Sequence, residues 1–375
     1  MGLPACWRGA AREQAWPSRV PDLGRATAGL LALRQGGKLC RRAGVAAVRD
    51  LRPKSDLVVL ALILSVSAVV AYGYLTRVDR PYLEPRIGLH SRIIEGSAPS
   101  PYRYRVLVPL IAEVAIRGLS TAIPYERAFL LSYAMYDLLG VFFILVMLFL
   151  WLEKWFPRAW ALSGVLFVAA TMPIALRDHY FQPWSLLETA LFSASLLAIY
   201  GERYGLLAFL LMLASLNREM AVFIPLAFLV TRVDVGGILR QRGRIDWRPV
   251  LLFVALLVEW AAIYLAIRYV QGEAPHIHTV GELLRVNLTR EGLFLALVNG
   301  TLFLGGFWVL AVFGYRYAPG FIKRLTLIIP MYLMVIGIWG VWYEVRLLMP
   351  LYPVLLPLGL SFACRSEWGG GATDR

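Results

Sequence analysis

The sequence predicts an all-α polytopic membrane protein of about ten transmembrane or short membrane helices, with a long first extracytoplasmic loop that carries an amphipathic helix. Three observations lead there. Of 375 residues, 59% are apolar and 17% charged, and mean hydropathy is +0.64, whereas soluble domains are roughly 45–50% apolar and about 25% charged. The apolar residues fall into runs of span length. The basic residues gather between those runs, where the positive-inside rule can read them. A soluble enzyme, a disordered chain and a nucleic-acid-binding domain are poor fits, because a water-soluble globule of this size cannot hide so much apolar surface.

The net charge of +14 does not call for a nucleic-acid partner. Residues 1–56 hold eleven Lys/Arg against four Asp/Glu, about half of the surplus. Only Lys38, Lys54, Lys154 and Lys323 are lysines, against 34 arginines, a bias that fits a GC-rich coding sequence better than a phosphate-binding design. Cys6, Cys40 and Cys364 form no CxxC spacing, so no metal site or disulfide framework is indicated.

Residues 1–56 read as a basic, disordered cytoplasmic tail; the stretch before the first apolar run is too long for a secretory signal peptide. Spans are expected at 57–75, 127–151, 159–176, 184–200, 249–269, 295–314, 325–342 and 347–363. Two shorter runs, 204–216 and 219–231, meet at Asn217-Arg218-Glu219. At ~1.5 Å per residue, thirteen residues reach about 20 Å, short of the roughly 30 Å hydrocarbon core. They read as two short helices meeting at a polar apex, with one kinked helix as the competing parse. The basic tail, the Lys154/Arg158 turn, linker 232–248 and loop 315–324 all fall on one side if 204–231 crosses as a pair and 106–118 does not cross. Ten crossings and two cytoplasmic termini result: one transmembrane domain over 57–363, its first outer loop at 76–126, and a cytoplasmic tail over 364–375.

This topology puts five polar stretches on the outer side: loop 76–126, the turn Arg177 to Gln182, the apex 217–219, segment 270–294 and the turn Tyr343 to Arg346. Charges within or beside spans are expensive and usually face a cavity. Within the first loop, 106–118 has apolar residues on one helical face, with Glu113 and Arg117 at its edges, and reads as an interfacial amphipathic helix.

The stretches PYRYRVLVPL (101–110), LNREMAVFIPL (216–226) and YEVRLLMPLYPVL (343–355) resemble segments of the large uncharacterised bacterial branch of the C-type (GT-C) superfamily of membrane glycosyltransferases. An acidic first outer loop with amphipathic helices, followed by many spans, looks like that superfamily too. The resemblance implies transfer of a sugar from a polyprenyl-phosphate donor to an envelope glycan, lipid or protein on the extracytoplasmic face of the plasma (bacterial inner) membrane. It also implies an Asp or Glu of the first outer loop as catalytic base. Asp79 ranks first because it follows the first span closely, as the family's base does; Glu84 and Glu95 come next. The loop holds no Asp-Glu or Asp-X-Asp pair.

These residue types suit that chemistry. An acceptor hydroxyl needs a positioned carboxylate to take its proton, and a departing lipid phosphate needs cations, for which the arginine fork is well shaped. Arg103, Arg105, Arg177, Asp178, His179, Gln182, Asn217, Arg218, Glu219, Glu344 and Arg346 are the candidates for holding donor or substrate. Each has a plainer reading. Asp79 could pair with Arg77 or Arg80, Arg103 and Arg105 could be interfacial anchors beside Tyr102 and Tyr104, Arg218 could pair with Glu219, and Glu344 with Arg346. A divalent cation (Mg²⁺ or Mn²⁺) would suit paired carboxylates, although no spacing demands one, and His276-X-His278 reads as a solvated loop. Asn287-Leu288-Thr289 and Asn299-Gly300-Thr301 match the glycosylation sequon by chance. A secondary transporter or lipid-linked-sugar flippase is the alternative function, and a non-catalytic envelope scaffold a third.

Overall fold

The computed structural model describes residues 56–176, 181–233 and 247–365. The tail 1–55, the turn residues Arg177, Asp178 and His179, most of linker 232–248 and the tail from 366 onward lie outside the described residues. The chain divides into units 1–59 and 60–375, and the account below concerns the second, apart from the first turn of its leading helix.

Among the described residues every regular element is helical, with one isolated bridge between Ser100 and His276. Helix α1 runs Asp56–Asp79 and ends in a π-helical turn, Leu75–Asp79, in which Val78 and Asp79 are buried. Two shorter helices follow in the first loop, α2 (Leu83–Ile94) and α3 (Leu107–Ser120). The second is the expected amphipathic helix: it buries Val108, Ala112 and Ile116 and exposes Leu110 and Val114. The sequence reading did not find α2, whose apolar positions are too interrupted by Glu84, Arg86, His90 and Arg92 to make a convincing stripe.

The long helices α4 (Tyr125–Leu152) and α5 (Arg158–Ala175) start on prolines, Pro124 and Pro157, at their N-caps. Then come α6 (Trp184–Tyr200) and α7 (Tyr204–Asn217). The chain breaks at Arg218, which is extended (φ −163°), passes through a 3₁₀ turn at Glu219–Val222 and resumes as α8 (Phe223–Arg232). Two short helices meeting at a polar apex are thus observed, and one kinked helix is not.

After α9 (Trp247–Gln271), Thr279 and Glu282 form a reciprocal capping box for α10 (Val280–Leu288). The expected span 295–314 is instead a pair, α11 (Arg290–Leu304) and α12 (Phe307–Gly314 with a 3₁₀ turn to Tyr317), bent by 77°. Gly305 makes the corner with φ +54° while a ring carbon of Phe167 sits 2.8 Å from where a Cβ would be, so only glycine fits there. Helices α13 (Gly320–Leu325) and α14 (Ile328–Trp339), a 3₁₀ turn at Val345–Leu351 and α15 (Tyr352–Ala363) complete the chain.

Six stretches are long and apolar enough to cross a membrane: 56–79, 125–152, 158–175, 247–271, 320–339 and 345–363, or seven with the bent pair. The protein is a multi-pass membrane protein by this measure. With the bent pair counted as one span, the difference from ten lies in α6, α7 and α8, which at 17, 14 and 10 residues are shorter than a full span.

The last stretch, Val345–Ala363, is 83% buried and forms the centre of the bundle, while α9 is only 6% buried and lies at its edge. The main core joins α6, α7 and α8 to α14 and α15 through Leu196, Leu211, Phe228, Ile328 and Val354. Glycines let α12 and α15 meet almost backbone to backbone: a Cβ on Gly314 would fall 1.9 Å from the Leu358 carbonyl oxygen, and one on Gly359 2.6 Å from the Phe307 ring. Gly314→Ala must therefore push two helices apart, and overpacking of this kind costs about 1–3 kcal/mol or more. A lowered thermal midpoint in detergent is expected for Gly314→Ala, and no loss for Gly205→Ala, whose added methyl meets open space.

Candidate functional site

Two polar clusters lie within the bundle. The first joins α1, α2 and α4. Asp79 and Arg86 are both 2% exposed and form an ion pair at 2.7 Å. Arg86 also donates from Nη1 to the Tyr74 hydroxyl at 3.2 Å and lies over the rings of Tyr74 and Phe181. Asp137, buried in the middle of α4, brings a second carboxyl against Asp79. Asp79 therefore pairs with neither Arg77 nor Arg80; the turn of chain after α1 brings Arg86 back over it.

The second cluster gathers the apex with three distant stretches. Arg218 donates from Nη1 to Glu188 Oε2 at 2.5 Å, and Glu219 receives a bidentate pair from Arg105 Nε and Nη2. Arg218 thus pairs with α6 and Glu219 with the first loop rather than with each other, because the extended residue at 218 sends adjacent side chains opposite ways. Asn217 donates to the Trp184 carbonyl at 2.9 Å, and Trp260 donates to the Glu219 carbonyl at 3.2 Å. Arg105 lies over the Trp184 ring, which packs against Tyr102; Gln182 donates weakly to the Tyr102 hydroxyl at 3.4 Å. Arg346 pairs with Glu344 at 2.7 Å. Burial pushes the Tyr102 phenol above 10, Arg105 and Arg346 pull it the other way, and Glu344 adds to the rise, so all three charges lie within electrostatic reach of it. Phe181 and Trp184 form an aromatic wall between the two clusters.

The expected residues divide accordingly. Arg105, Gln182, Asn217, Arg218, Glu219, Glu344 and Arg346 come together, and Asp79 lies behind the aromatic wall. Arg177, Asp178 and His179 lie outside the described residues. Glu84 and Glu95 are exposed and have no ion pair among the described residues. Arg103 is drawn away: its Nη1 donates to the Glu273 carbonyl at 2.9 Å, in a loop that also bonds Ser100 through Pro275 and Ile277. His276 and His278 are exposed in that loop. Asp137 and Glu188 are the functional-type residues the sequence reading missed. Each is a single carboxylate inside an apolar helix, and the cost of a charge there is the signal that marks it.

Asn287 and Asn299 have a structural role in place of the sequon reading. Asn287 is 1% exposed, donates to the carbonyls of Gly337 and Gly340 and accepts from the Trp342 amide, which ties off the end of α14.

Among the described residues no three His, Cys, Asp or Glu side chains gather as a cation site. At the Asp79–Asp137 pair the positive charge comes from Arg86, so the residues present do not call for a divalent ion there. Beside Glu188, an apolar pocket lined by Phe192, Met220, Ile224 and Tyr332 has room for about one water. Each of the three arginines in the second cluster faces its own carboxylate, so the cluster carries no net charge. An anion entering it must share or displace a carboxylate.

No family profile, curated protein or solved structure matches the chain.

A third polar contact lies in the first loop. His90 Nε2 is 3.0 Å from Glu113 Oε2 and Nδ1 is 2.9 Å from the Tyr133 hydroxyl, while Arg117 donates to the other Glu113 oxygen at 2.6 Å. With Glu113 ionised, Nε2–H donates to it and Nδ1 accepts from Tyr133, which suits a neutral imidazole. Burial holds His90 below 6.5 against the pull of Glu113. For Glu113 burial acts upward, but hydrogen bonds from His90 and Arg117 outweigh it and hold the carboxyl below 4.5.

Two outcomes are expected. A group held below its unfolded pKa favours the native state above that unfolded value and loses its contribution as pH falls through the folded one. The thermal midpoint should therefore drop as pH is lowered below 6.5, and again below 4.5; His90→Gln should flatten the first of these falls. Separately, Arg218→Ala leaves Glu188 buried without its partner and should cost about 3–5 kcal/mol, read as lost thermal stability in detergent. The apolar double replacement Glu188→Leu with Arg218→Met should recover most of it.

Proposed function

We propose that the chain is a membrane glycosyltransferase of the GT-C type. It would move a sugar from a polyprenyl-phosphate donor to an envelope acceptor on the extracytoplasmic face, with both termini in the cytoplasm and the short helices α6, α7 and α8 counted among about ten membrane passages. One observation carries the reading: Arg105, Gln182, Glu219 and Arg346, from four stretches far apart in sequence, gather near Tyr102 and Trp184.

In this reading the acceptor hydroxyl gives its proton to a carboxylate as its oxygen bonds to the anomeric carbon. The carbon–oxygen bond to phosphate breaks, and its electron pair leaves on the polyprenyl phosphate. Arg105 and Arg346 receive that phosphate by exchanging part of their bonding with Glu219 and Glu344. Tyr102 offers a ring to the sugar and Gln182 a hydrogen bond, while the buried Trp184 and Asn217 hold that wall in place. Of the three loop acids, Asp79 alone sits within a buried polar cluster, so it is the base. Arg86 and the Phe181–Trp184 wall close it off from the second cluster, so both α2, which carries Arg86, and that wall must move for an acceptor bound there to reach it.

Membranes containing the full chain should transfer sugar from a polyprenyl-phosphate donor to an envelope glycan. Asp79→Asn should reduce the rate about 10²–10⁴-fold at normal expression, and Arg346→Ala should raise the KM for donor more than that for acceptor. Full transfer by Asp79→Asn, Glu84→Gln and Glu95→Gln, singly and together, would remove the loop acids as base. Solute uptake by purified protein in sealed vesicles, with no lipid-linked sugar present, would instead favour the transporter.

A further inference from the structure

The arginines at the C-terminal end of α9 are not neutralised in the way those of the second cluster are. Arg105, Arg218 and Arg346 each face a carboxylate. Arg268, in the last turn of α9, has no carboxylate partner among the described residues. Its guanidinium lies between the rings of Tyr104 and Tyr264, 4.3 and 4.5 Å from their centroids. Arg103 likewise has no carboxylate partner among the described residues and spends one nitrogen on the Glu273 carbonyl. The Nε atoms of both arginines are buried without a hydrogen-bond partner.

Both guanidiniums lie beside the contact between Tyr104 and Gly272, Arg268 over the Tyr104 ring and Arg103 against the glycine. Its amide donates to the Arg268 carbonyl at 2.9 Å, its carbonyl accepts from the Tyr104 hydroxyl at 3.0 Å, and Arg103 Nη2 lies 3.8 Å from where its Cβ would be. Two cations brought to the same end of α9 with no carboxylate on either are stabilised by an anion that reaches both. Beside them runs an apolar groove of about 310 Å³, lined by Ile93, Ile94, Val106, Leu110, Ile267 and Val270. Because α9 is the least buried of the six long apolar stretches, the groove opens at the edge of the bundle, where a membrane protein meets hydrocarbon.

We propose that Arg103 and Arg268 bind the phosphate of an anionic glycerophospholipid whose acyl chain lies in the groove between α3 and α9. The guanidinium forks match phosphate oxygens, the tyrosines are of the type that favours the headgroup zone, and the groove supplies apolar contact for the chain. A phosphate here has no carboxylate on either guanidinium to act as base, so the site suits a lipid that stays over one that reacts. The assignment is independent of whether the chain transfers sugar.

The test uses the full chain in phosphatidylcholine vesicles doped with spin-labelled phosphatidylglycerol, with spin-labelled phosphatidylcholine as reference. The fraction of label immobilised at the protein is read by electron paramagnetic resonance. The wild type should hold phosphatidylglycerol preferentially. Arg103→Gln and Arg268→Gln should each weaken that preference about fivefold, and Arg268→Lys should keep part of it. Leu110→Trp, made at an exposed position, fills the groove with both arginines intact and should also release the lipid. That variant decides the matter should the arginine variants fail to fold by circular dichroism. An unchanged preference in a folded Arg103→Gln/Arg268→Gln double variant or in Leu110→Trp would overturn the proposal. So would displacement of the label by inorganic phosphate alone, which would make the site one for a free anion, or by equimolar polyprenyl phosphate, which would make it a donor site.

Discussion

A charge buried in an apolar bundle must meet its opposite or remain unfolded in water, and this requirement organises the protein's interior. Leaving water costs several kcal/mol per ion even after the surroundings relax. The ion pairs therefore join segments that sequence alone would keep apart: Asp79 of α1 with Arg86 of α2, Glu188 of α6 with Arg218 at the apex, and Glu219 with Arg105 from the first loop. Each pair is also a positional lock, since neither partner can move without stranding the other. The apolar contacts among α6, α7, α8, α14 and α15 supply the bulk of the burial, while these few pairs determine which loop lies over which helix.

Much of the architecture was legible because hydropathy is a cumulative signal. A 25-residue apolar run such as α9 announces itself whatever its neighbours do, and the polar interruption at 217–219 was visible as a break between two runs too short to cross. What was not legible depends on single residues. The 77° corner at Gly305 comes from one backbone angle and the nearby Phe167 ring, and neither leaves a trace in a hydropathy average. Helix α2 was missed because two of the three residues on its buried face are Arg86 and His90, which look like a solvated surface until their partners are known.

The polar site was legible in outline and not in its pairings. Grouping the ionisable stretches put Arg105 and the apex side by side, and Arg105 does pair with Glu219. Nearest-neighbour reasoning held for Glu344 with Arg346 and failed for Asp79 with Arg77 or Arg80 and for Arg218 with Glu219. Adjacent residues in an extended or turn conformation diverge, and the true partners come from elements that only the three-dimensional packing brings near. Asp137 and Glu188 escaped for the reverse reason: a solitary acid in a long apolar helix is easily averaged away, although its desolvation cost makes it among the most informative letters in the chain.

The side chain of Asn287 has a consequence beyond its role at the end of α14. Its amide is engaged by Gly337, Gly340 and Trp342, and Thr289, two residues on, caps α11 through the Gly292 amide. Both signature positions of that Asn-X-Thr triplet are thus occupied once the chain has folded. A transferase in a foreign secretory pathway could reach the triplet only during synthesis, before residues 337–342 are made and docked. Whether a carbohydrate were attached would then record which event came first, and the attached group would bar the late helices from closing over it.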